Sequence, residues 1–357
     1  RRRKIAGTLG RRAASDPDDA MTGPVADPHR RRFLVVVRAG DTSLHPTWVD
    51  PGRPRSFDLV VSYYGRDPQK YRDGPFPRID APGQKYIGAQ RLLEREPFWR
   101  DYDYVWLPDD DLATDQDEID ELFARMDAAG LELGHPALDW HSHYWHVVMV
   151  RSPSFSVRFT DFVEIMGPVF SRRFLERCLP TFDANLSGWG LSFVWPHMLG
   201  PGLQRCAIVD DATVTHTRPF GGPTYDLLRK LGRDPREELY ELMRKYGLPD
   251  NPVPNILGAI DANGRTLDLS SRADQGRYGR TRQRDIEAFA RERPIIELAR
   301  LGRRPPPTWR SMLPLEALRA SAARMRSRRA VSAGGSRGVA EKNPLDHTSA
   351  DSCRLFD

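Results

Sequence analysis

Three consecutive aspartates, Asp109, Asp110 and Asp111, follow the apolar run YVWLP. Their charges repel one another, and desolvation at a strand end adds to the cost. A metal ion, an arginine or the amino end of a helix can offset it. In an extended DxD, alternate side chains point the same way, so Asp109 and Asp111 can share a cation while Asp110 faces elsewhere. Such oxygen ligands suit Mg2+ or Mn2+, hard ions that often bridge a carboxylate to a diphosphate. The acids equally suit the positive end of a following helix, toward which Asp115 and Asp117 continue the run.

Other residues could join that chemistry. His216 lies at the exit of an apolar strand in ATVTHTRPFGG, where a neutral imidazole can complete a metal shell; a histidine simply packed at a strand end is the alternative. HSHYWH offers His141, His143 and His146, with His135 nearby, but lacks a fixed helical face or a cysteine to make a zinc site. His143 and Trp145 read better as substrate-facing groups. In NLSGWGLSFVWP, Gly188 and Gly190 flank Trp189. Glycines let a backbone approach a ligand closely, and an indole stacks well on the CH face of a sugar. The alternative is that Trp189, Phe193 and Trp195 are core aromatics beside a tight turn. GxSxG, P-loop, HExxH and complete GxGxxG motifs are all missing, which disfavours the common hydrolase, NTPase, metalloprotease and dinucleotide readings.

The elements that must position these residues alternate. RFLVVVRAG and FDLVVSYYG read as buried strands, YDYVWLP as a third and LELGHPAL as a fourth. GQKYIGAQRLLEREPFW has helical spacing, with Ile87, Leu92 and Leu93 on one side. TDQDEIDELFARMDAAG is a second helix, with Thr114 as its N-cap and Gly130 as its stop. HYWHVVMVRS and FTDFVEIMGPVFS look like adjacent strands, RRFLERCLPTF like a short helix, and QRCAIVDDATVTHTRP contains one more strand. Past Pro223 the pattern turns helical: Asp234 and Pro235 open DPREELYELMRKYG, and Asn263-Gly264 marks a hairpin. The alternation predicts an α/β fold with a mixed, mainly parallel sheet flanked by helices and a helical C-terminal extension.

The chain of 357 residues is 39% hydrophobic, ample for one substantial core. Its net charge of +5 is uneven: residues 275–337 hold sixteen arginines against five acids, and the first 32 residues are also basic. The stretch between is acidic, which is a poor nucleic-acid grip. The basic ends read as solvated tails, with weak contact to anionic surfaces as the alternative. Three scattered cysteines suggest neither a disulfide framework nor a zinc ribbon, and no apolar run spans a bilayer, so a cytoplasmic setting is expected. The opening lacks methionine, and a start at Met21 would make the first twenty residues an artefact of gene calling.

Taken together, FDLVVSYYG, YVWLPDDDL, FVEIMGPVFS, LPTFDANLSGWGLSFVWP and VTHTRPFGGPTY resemble an uncharacterised glycosyltransferase-like family, domain of unknown function 707, over residues 33–225. The joint order of the five is more specific than any one. That family is similar to GT-A (Rossmann-like) nucleotide-sugar transferases, in which a DxD at a strand end coordinates Mn2+ or Mg2+ on the donor diphosphate and a late histidine often adds a ligand. The resemblance therefore implies Asp109, Asp111 and His216 as the metal set. It places Arg38, Ser62, Tyr63 and Lys85 near the donor nucleotide, with Asp110 among them, and Gly188, Trp189, Gly190 and Ser192 on the substrate side. GT-A transferases with a GWG turn commonly follow it with an acid that serves the acceptor hydroxyl. Ser192 holds that position here, and serine is no carboxylate base at neutral pH. Asp183, Glu164 and Asp211 are the candidate substitutes.

The expected organisation is a basic arm (1–31), a GT-A-like domain (32–225), a mainly helical extension with a hairpin (226–310), and a basic helix and tail (311–357). The expected activity is metal-dependent transfer of a sugar from a nucleoside-diphosphate donor to a hydroxyl acceptor. A non-catalytic carbohydrate- or nucleotide-binding protein and a metal-dependent phosphodiesterase are the alternatives.

Overall fold

The computed structural model describes residues 31–292, apart from 201, 203, 204, 220 and 222. The expected arm before residue 31 and the tail after 310 lie outside the described residues. The strands, in chain order, are β1 (Phe33–Ala39), β2 (Phe57–Tyr63), β3 (Arg78–Asp80), β4 (Tyr104–Trp106), β5 (Leu112–Ala113), β6 (Leu133–Leu138), β7 (Phe155–Thr160), β8 (Val169–Ser171), β9 (Cys206–His216), β10 (Ile256–Asp261) and β11 (Thr266–Asp268). The helices are α1 (Lys85–Arg95), α2 (Gln116–Ala128), α3 (Arg172–Cys178), α4 (Leu191–Leu199), α5 (Pro223–Lys230), α6 (Pro235–Lys245) and α7 (Arg272–Glu292).

The sheet runs β11-β10-β7-β9-β6-β8-β4-β1-β2-β3, with β5 paired on β9 off this path. Strands β3, β2, β1 and β4 are mutually parallel, and β6 and β9 are parallel to each other. Strand β8 runs antiparallel between β4 and β6, so all six of those parallel strands point one way. This is the mixed, mainly parallel α/β sheet that the alternating pattern predicts.

Burial on both faces explains the unbroken apolar runs. Val35 and Val37 of β1 pack with Ile119, Leu122 and Phe123 of α2. Leu34 and Val36 point the other way and pack with Ala89, Leu92 and Leu93 of α1, beside α3 and α4. On α1 the buried stripe includes Tyr86 and Ala89, whereas Ile87 is only partly buried. The N-cap of α2 is Asp115, whose side chain accepts from Glu118 N at 3.0 Å, and not Thr114.

The larger differences fall between 139 and 168. HYWHVVMVRS is no strand: Val147–Met149 forms a single 3-10 turn. FTDFVEIMGPVFS holds only the end of β7 and all of the short β8, and 161–168 between them is a loop. The Asn263-Gly264 hairpin is present, with Gly264 at φ +79°, and its β10 joins the main sheet against β7. Among the described residues, no helix is long and apolar enough to cross a membrane.

Topology sets where a ligand can bind. β1 pairs with β2 on one side and with β4 on the other, so the winding reverses between β1 and β4. A crevice opens beyond the carboxyl ends of strands at such a reversal. Asp109 sits there, bridged to Arg38 of β1.

Candidate active site

The three aspartates are pinned from both sides. Asp109 N donates to Met166 O at 2.7 Å, which ties the segment to the 161–168 loop. Beyond Asp111 the chain folds as β5 onto β9, with Leu112 opposite His216, and Thr217 N donates to Asp111 O at 3.1 Å. This pairing is what brings Asp111 and His216 together.

Each carboxylate has its own basic partner. Lys85 Nζ is 2.9 Å from Asp109 Oδ1, Arg218 Nη1 is 3.4 Å from Asp110 Oδ1, and His216 Nε2 is 3.4 Å from Asp111 Oδ2. Asp110 Oδ2 also accepts from Gly40 N at 2.6 Å. Burial raises Asp109 above the ordinary carboxylate range, against the pull of Lys85. Burial likewise lifts Asp110 to about 6. Burial acts on Asp111 too, but the hydrogen bond to His216 overcomes it and leaves Asp111 lowered. His216 is the mirror case: burial disfavours its charge, Asp111 more than compensates, and its pKa is raised.

Proton placement on His216 tests the metal reading. Its Nδ1 is 2.7 Å from His143 O, and a carbonyl can only accept, so Nδ1 carries a proton. Nε2 then presents Asp111 with either a second proton or a lone pair suited to a metal. A ligand histidine typically donates its other N–H to a carbonyl in this way. Asp111 Oδ1 is buried without a hydrogen-bond partner among the described residues. Asp111 and His216 thus fit a divalent ion, whereas Asp109 is engaged by Lys85. Among the described residues, no group of three or more His, Cys, Asp or Glu is arranged to hold a metal. The implied three-ligand set is therefore split. Two protein ligands remain sufficient for Mg2+-type sites in which substrate phosphates supply the rest.

Of the residues expected near a donor nucleotide, Arg38 and Ser62 are buried and bonded to each other, Nη1 to Oγ at 2.9 Å. Arg38 also donates to Ala81 O at 2.5 Å and Gly83 O at 2.7 Å, bracing the entry to α1, and burial lowers its pKa to about 10. The Tyr63 hydroxyl shares its one proton between the Asp41 carboxylate and Asp67 O, at 2.7 Å from the latter, and Arg78 lies 3.7 Å from its ring. The exposed aromatic here is the neighbouring Tyr64, with Arg38 5.2 Å from its ring centroid. Sequence reasoning passed over Tyr64, and also over Arg218, although RP in VTHTRP was part of a quoted motif.

The GWG turn needs its glycines: Gly188 has φ +78° and Gly190 φ +94°. A Cβ on Gly188 would lie 3.1 Å from the Tyr86 ring. Trp189 Nε1 donates to Tyr225 Oη at 2.9 Å, and the Trp145 ring, 47% exposed as a residue, lies 6.1 Å from that of Trp189. Ser192 is buried in the first turn of α4, where its carbonyl accepts from Val163 N at 3.2 Å. The residue after Val163 is Glu164.

Glu164 is 7% exposed, its Oε1 has no hydrogen-bond partner among the described residues, and burial lifts its pKa to about 7. Tyr86 and Tyr225 are both raised, first by burial and then by the charges of Asp109 and Glu164. The other candidate acids lie elsewhere. Asp183 is exposed, and Asp211 is committed to Arg125 of α2 at 3.0 Å and to Ser156. The histidines are dispersed: His141 bonds Asp139, His146 packs 4.6 Å from the Phe162 ring, and His135 is buried with Nδ1 on Pro136 O.

No protein-family model and no curated protein sequence matches the chain, and membership of domain of unknown function 707 is not shown. Among solved structures, the chain is similar to S. aureus TarS 1–349 in complex with UDP-GlcNAc, at 13% identity, 60% coverage of this chain, 65% of that one and a TM-score of 0.40. This chain thus spans just under two thirds of that structure. It is also similar to glucosyl-3-phosphoglycerate synthase from Mycobacterium tuberculosis in complex with Mn2+, uridine diphosphate and glucosyl-3-phosphoglycerate, at 14% identity, 62% and 82% coverage and a TM-score of 0.39. A mycobacterial protein matches at 16% identity, 61% and 76% coverage and a TM-score of 0.38.

Proposed function

We propose that this chain is a glycosyltransferase of the GT-A type, moving a sugar from a nucleoside-diphosphate donor to a hydroxyl acceptor. One observation carries the reading. The position where an acid is expected, Ser192, is hydrogen-bonded through its backbone to Val163, and the adjacent Glu164 is a buried carboxyl two residues before Met166, whose carbonyl accepts from Asp109 N. The donor diphosphate would lie in the crevice between β1 and β4. Asp111 and His216 would hold a divalent ion, Mn2+ or Mg2+, with Asp109 beside them. When bound, such an ion neutralises the charge that develops on the departing diphosphate. Glu164, with a pKa of about 7, takes the proton of the acceptor hydroxyl as it attacks the sugar. Trp145 and Trp189 offer apolar faces on which a sugar ring can stack.

Calorimetric titration with a panel of nucleoside diphosphates, with and without Mn2+, tests this reading. At least one nucleotide should bind in a metal-dependent way. If none does, the transferase reading fails. The serine at 192 favours a second reading, a binding protein on the same fold; metal-dependent binding with no transfer or donor hydrolysis would select it.

A further inference from the structure

Lys85 occupies a place that the metal reading gives to an ion. It is the first residue of α1, and its ammonium lies 2.9 Å from Asp109 Oδ1, 2.6 Å from Ile165 O and 3.0 Å from Met166 O. An ammonium has three N–H donors, and three oxygens take them. The side chain is only 17% exposed. An oxygen cage of one carboxylate and two carbonyls is what a hard cation seeks.

The frame around this contact is fixed. Met166 O also accepts from Asp109 N, and Ile165 O accepts from the Tyr86 hydroxyl at 2.5 Å. Arg38 grips the carbonyls of Ala81 and Gly83 just ahead of α1. It can lie against the helix because position 88 is glycine: a Cβ there would sit 2.6 Å from Arg38 Nη2. Displacing Lys85 would take one donor from each of two carbonyls, and seating a divalent ion beside it would crowd two cations on one carboxylate. Asp111 differs. Its Oδ1 is buried without a partner, and its Oδ2 faces His216 Nε2 at 3.4 Å.

We propose that Lys85 is the built-in cation of Asp109, so that a divalent ion is held by Asp111, His216 and the nucleotide phosphates instead of by a DxD pair. This rests on the reading of the crevice as a metal–diphosphate site. It makes the two outer aspartates unequal. It also makes Lys85 a positioning residue that keeps Asp109 from the metal, and removing the ammonium should release a third ligand.

Titrating Mn2+ into the full chain, with free ion followed by electron paramagnetic resonance, reads this without activity. Wild type, Asp109→Asn, Asp111→Asn, Lys85→Met and the double variant Lys85→Met/Asp109→Asn would be compared with and without uridine diphosphate. Asp111→Asn should weaken Mn2+ binding roughly tenfold or more, while Asp109→Asn stays within about threefold of wild type. Lys85→Met should bind Mn2+ roughly tenfold more tightly without nucleotide, and the double variant should lose that gain. Equal losses in Asp109→Asn and Asp111→Asn, or no tightening in folded Lys85→Met, would overturn the proposal while leaving the metal site intact. If Lys85→Met does not fold, the two aspartate variants decide. Should no variant bind Mn2+, with or without nucleotide, the metal reading fails and this proposal with it.

Discussion

At the scale of single residues, Glu164 sets stability against function. Burial raises its pKa from the ordinary 4.5 to about 7, so in the folded chain it keeps its proton where the unfolded chain has lost it. A raised folded pKa means that its contribution to stability is complete below the ordinary carboxylate range and is lost as pH rises through about 7. Glutamine cannot ionise. The stability advantage of Glu164→Gln over wild type should therefore grow between pH 5 and pH 8, by on the order of 3 kcal/mol, in urea unfolding. Transfer should move the other way. A general base of this pKa makes the rate climb with pH up to about 7, and Glu164→Gln should cut it roughly 10²–10⁴-fold and flatten the profile. A variant that keeps wild-type rate and pH profile would remove Glu164 from the mechanism. Sequence reading could name Glu164 only as one of three acids, because its tie to Ser192 runs through the backbone of Val163. The aspartates were easier, since three adjacent charges at a strand end demand compensation whatever the fold. What supplies it, one basic partner per acid, depends on Lys85, Arg218 and His216, which come from distant parts of the chain.

At the scale of elements, apolar periodicity recovered β1, β2, β4, β6, α1 and α2, because buried strands and amphipathic helices write their burial directly into the chain. It failed between 139 and 168. There Met149, Val150, Phe162, Val163 and Met166 are buried, but the backbone follows the needs of the site: Ile165 and Met166 carbonyls serve Lys85 and Tyr86, and His143 clasps His216. Carbonyl acceptors leave no trace in residue type. Glycines do, and GWG is the case in point. Gly190 is the N-cap of α4 at φ +94°, and a Cβ would lie 3.0 Å from a Leu242 methyl on α6. Gly247, at φ +67°, has open space where a Cβ would go. Alanine at either site meets the left-handed strain of about 1–2 kcal/mol, and at 190 it also presses on the α4–α6 contact. Gly190→Ala should lower stability by roughly 2–4 kcal/mol and clearly more than Gly247→Ala, as measured by chemical denaturation. Equal losses would mean that helix α6 yields freely, and that the turn is fixed by backbone conformation alone.

At the scale of the molecule, one sheet runs without a break from β3 to the β10–β11 hairpin, and the joint between β7 and β9 carries it past the site. That joint holds an ion pair with no exposure on either side chain: Arg158 Nε to Asp210 Oδ2 at 2.6 Å, and Nη2 to Oδ1 at 2.9 Å. Arg158 also donates to Val148 O and Val150 O, and Asp210 Oδ1 also takes Ser152 N at 2.7 Å. Helix α7 closes the same segment from outside. Arg282 donates to the carbonyls of Val147, Val150 and Arg151, and Asp285 accepts from Ser152 and Ser154. The segment that carries His143 and Trp145 is thereby fastened to the rest of the fold through buried charge. None of this is legible in a linear reading, where Arg158 and Asp210 are two unremarkable charges. A buried pair adds little net stability, yet stranding one partner is costly. Asp210→Asn should cost about 3–5 kcal/mol, which for a domain of this size lowers the melting temperature by roughly 6–20 °C. Replacing both residues with apolar side chains of similar volume should recover much of that loss, because no charge is then left unpaired. Since both cores share the one sheet, differential scanning calorimetry should show a single transition for wild type and variant alike. Two resolved transitions in Asp210→Asn would instead mean that the hairpin and α7 unfold on their own, and that the buried pair is what couples them to the site.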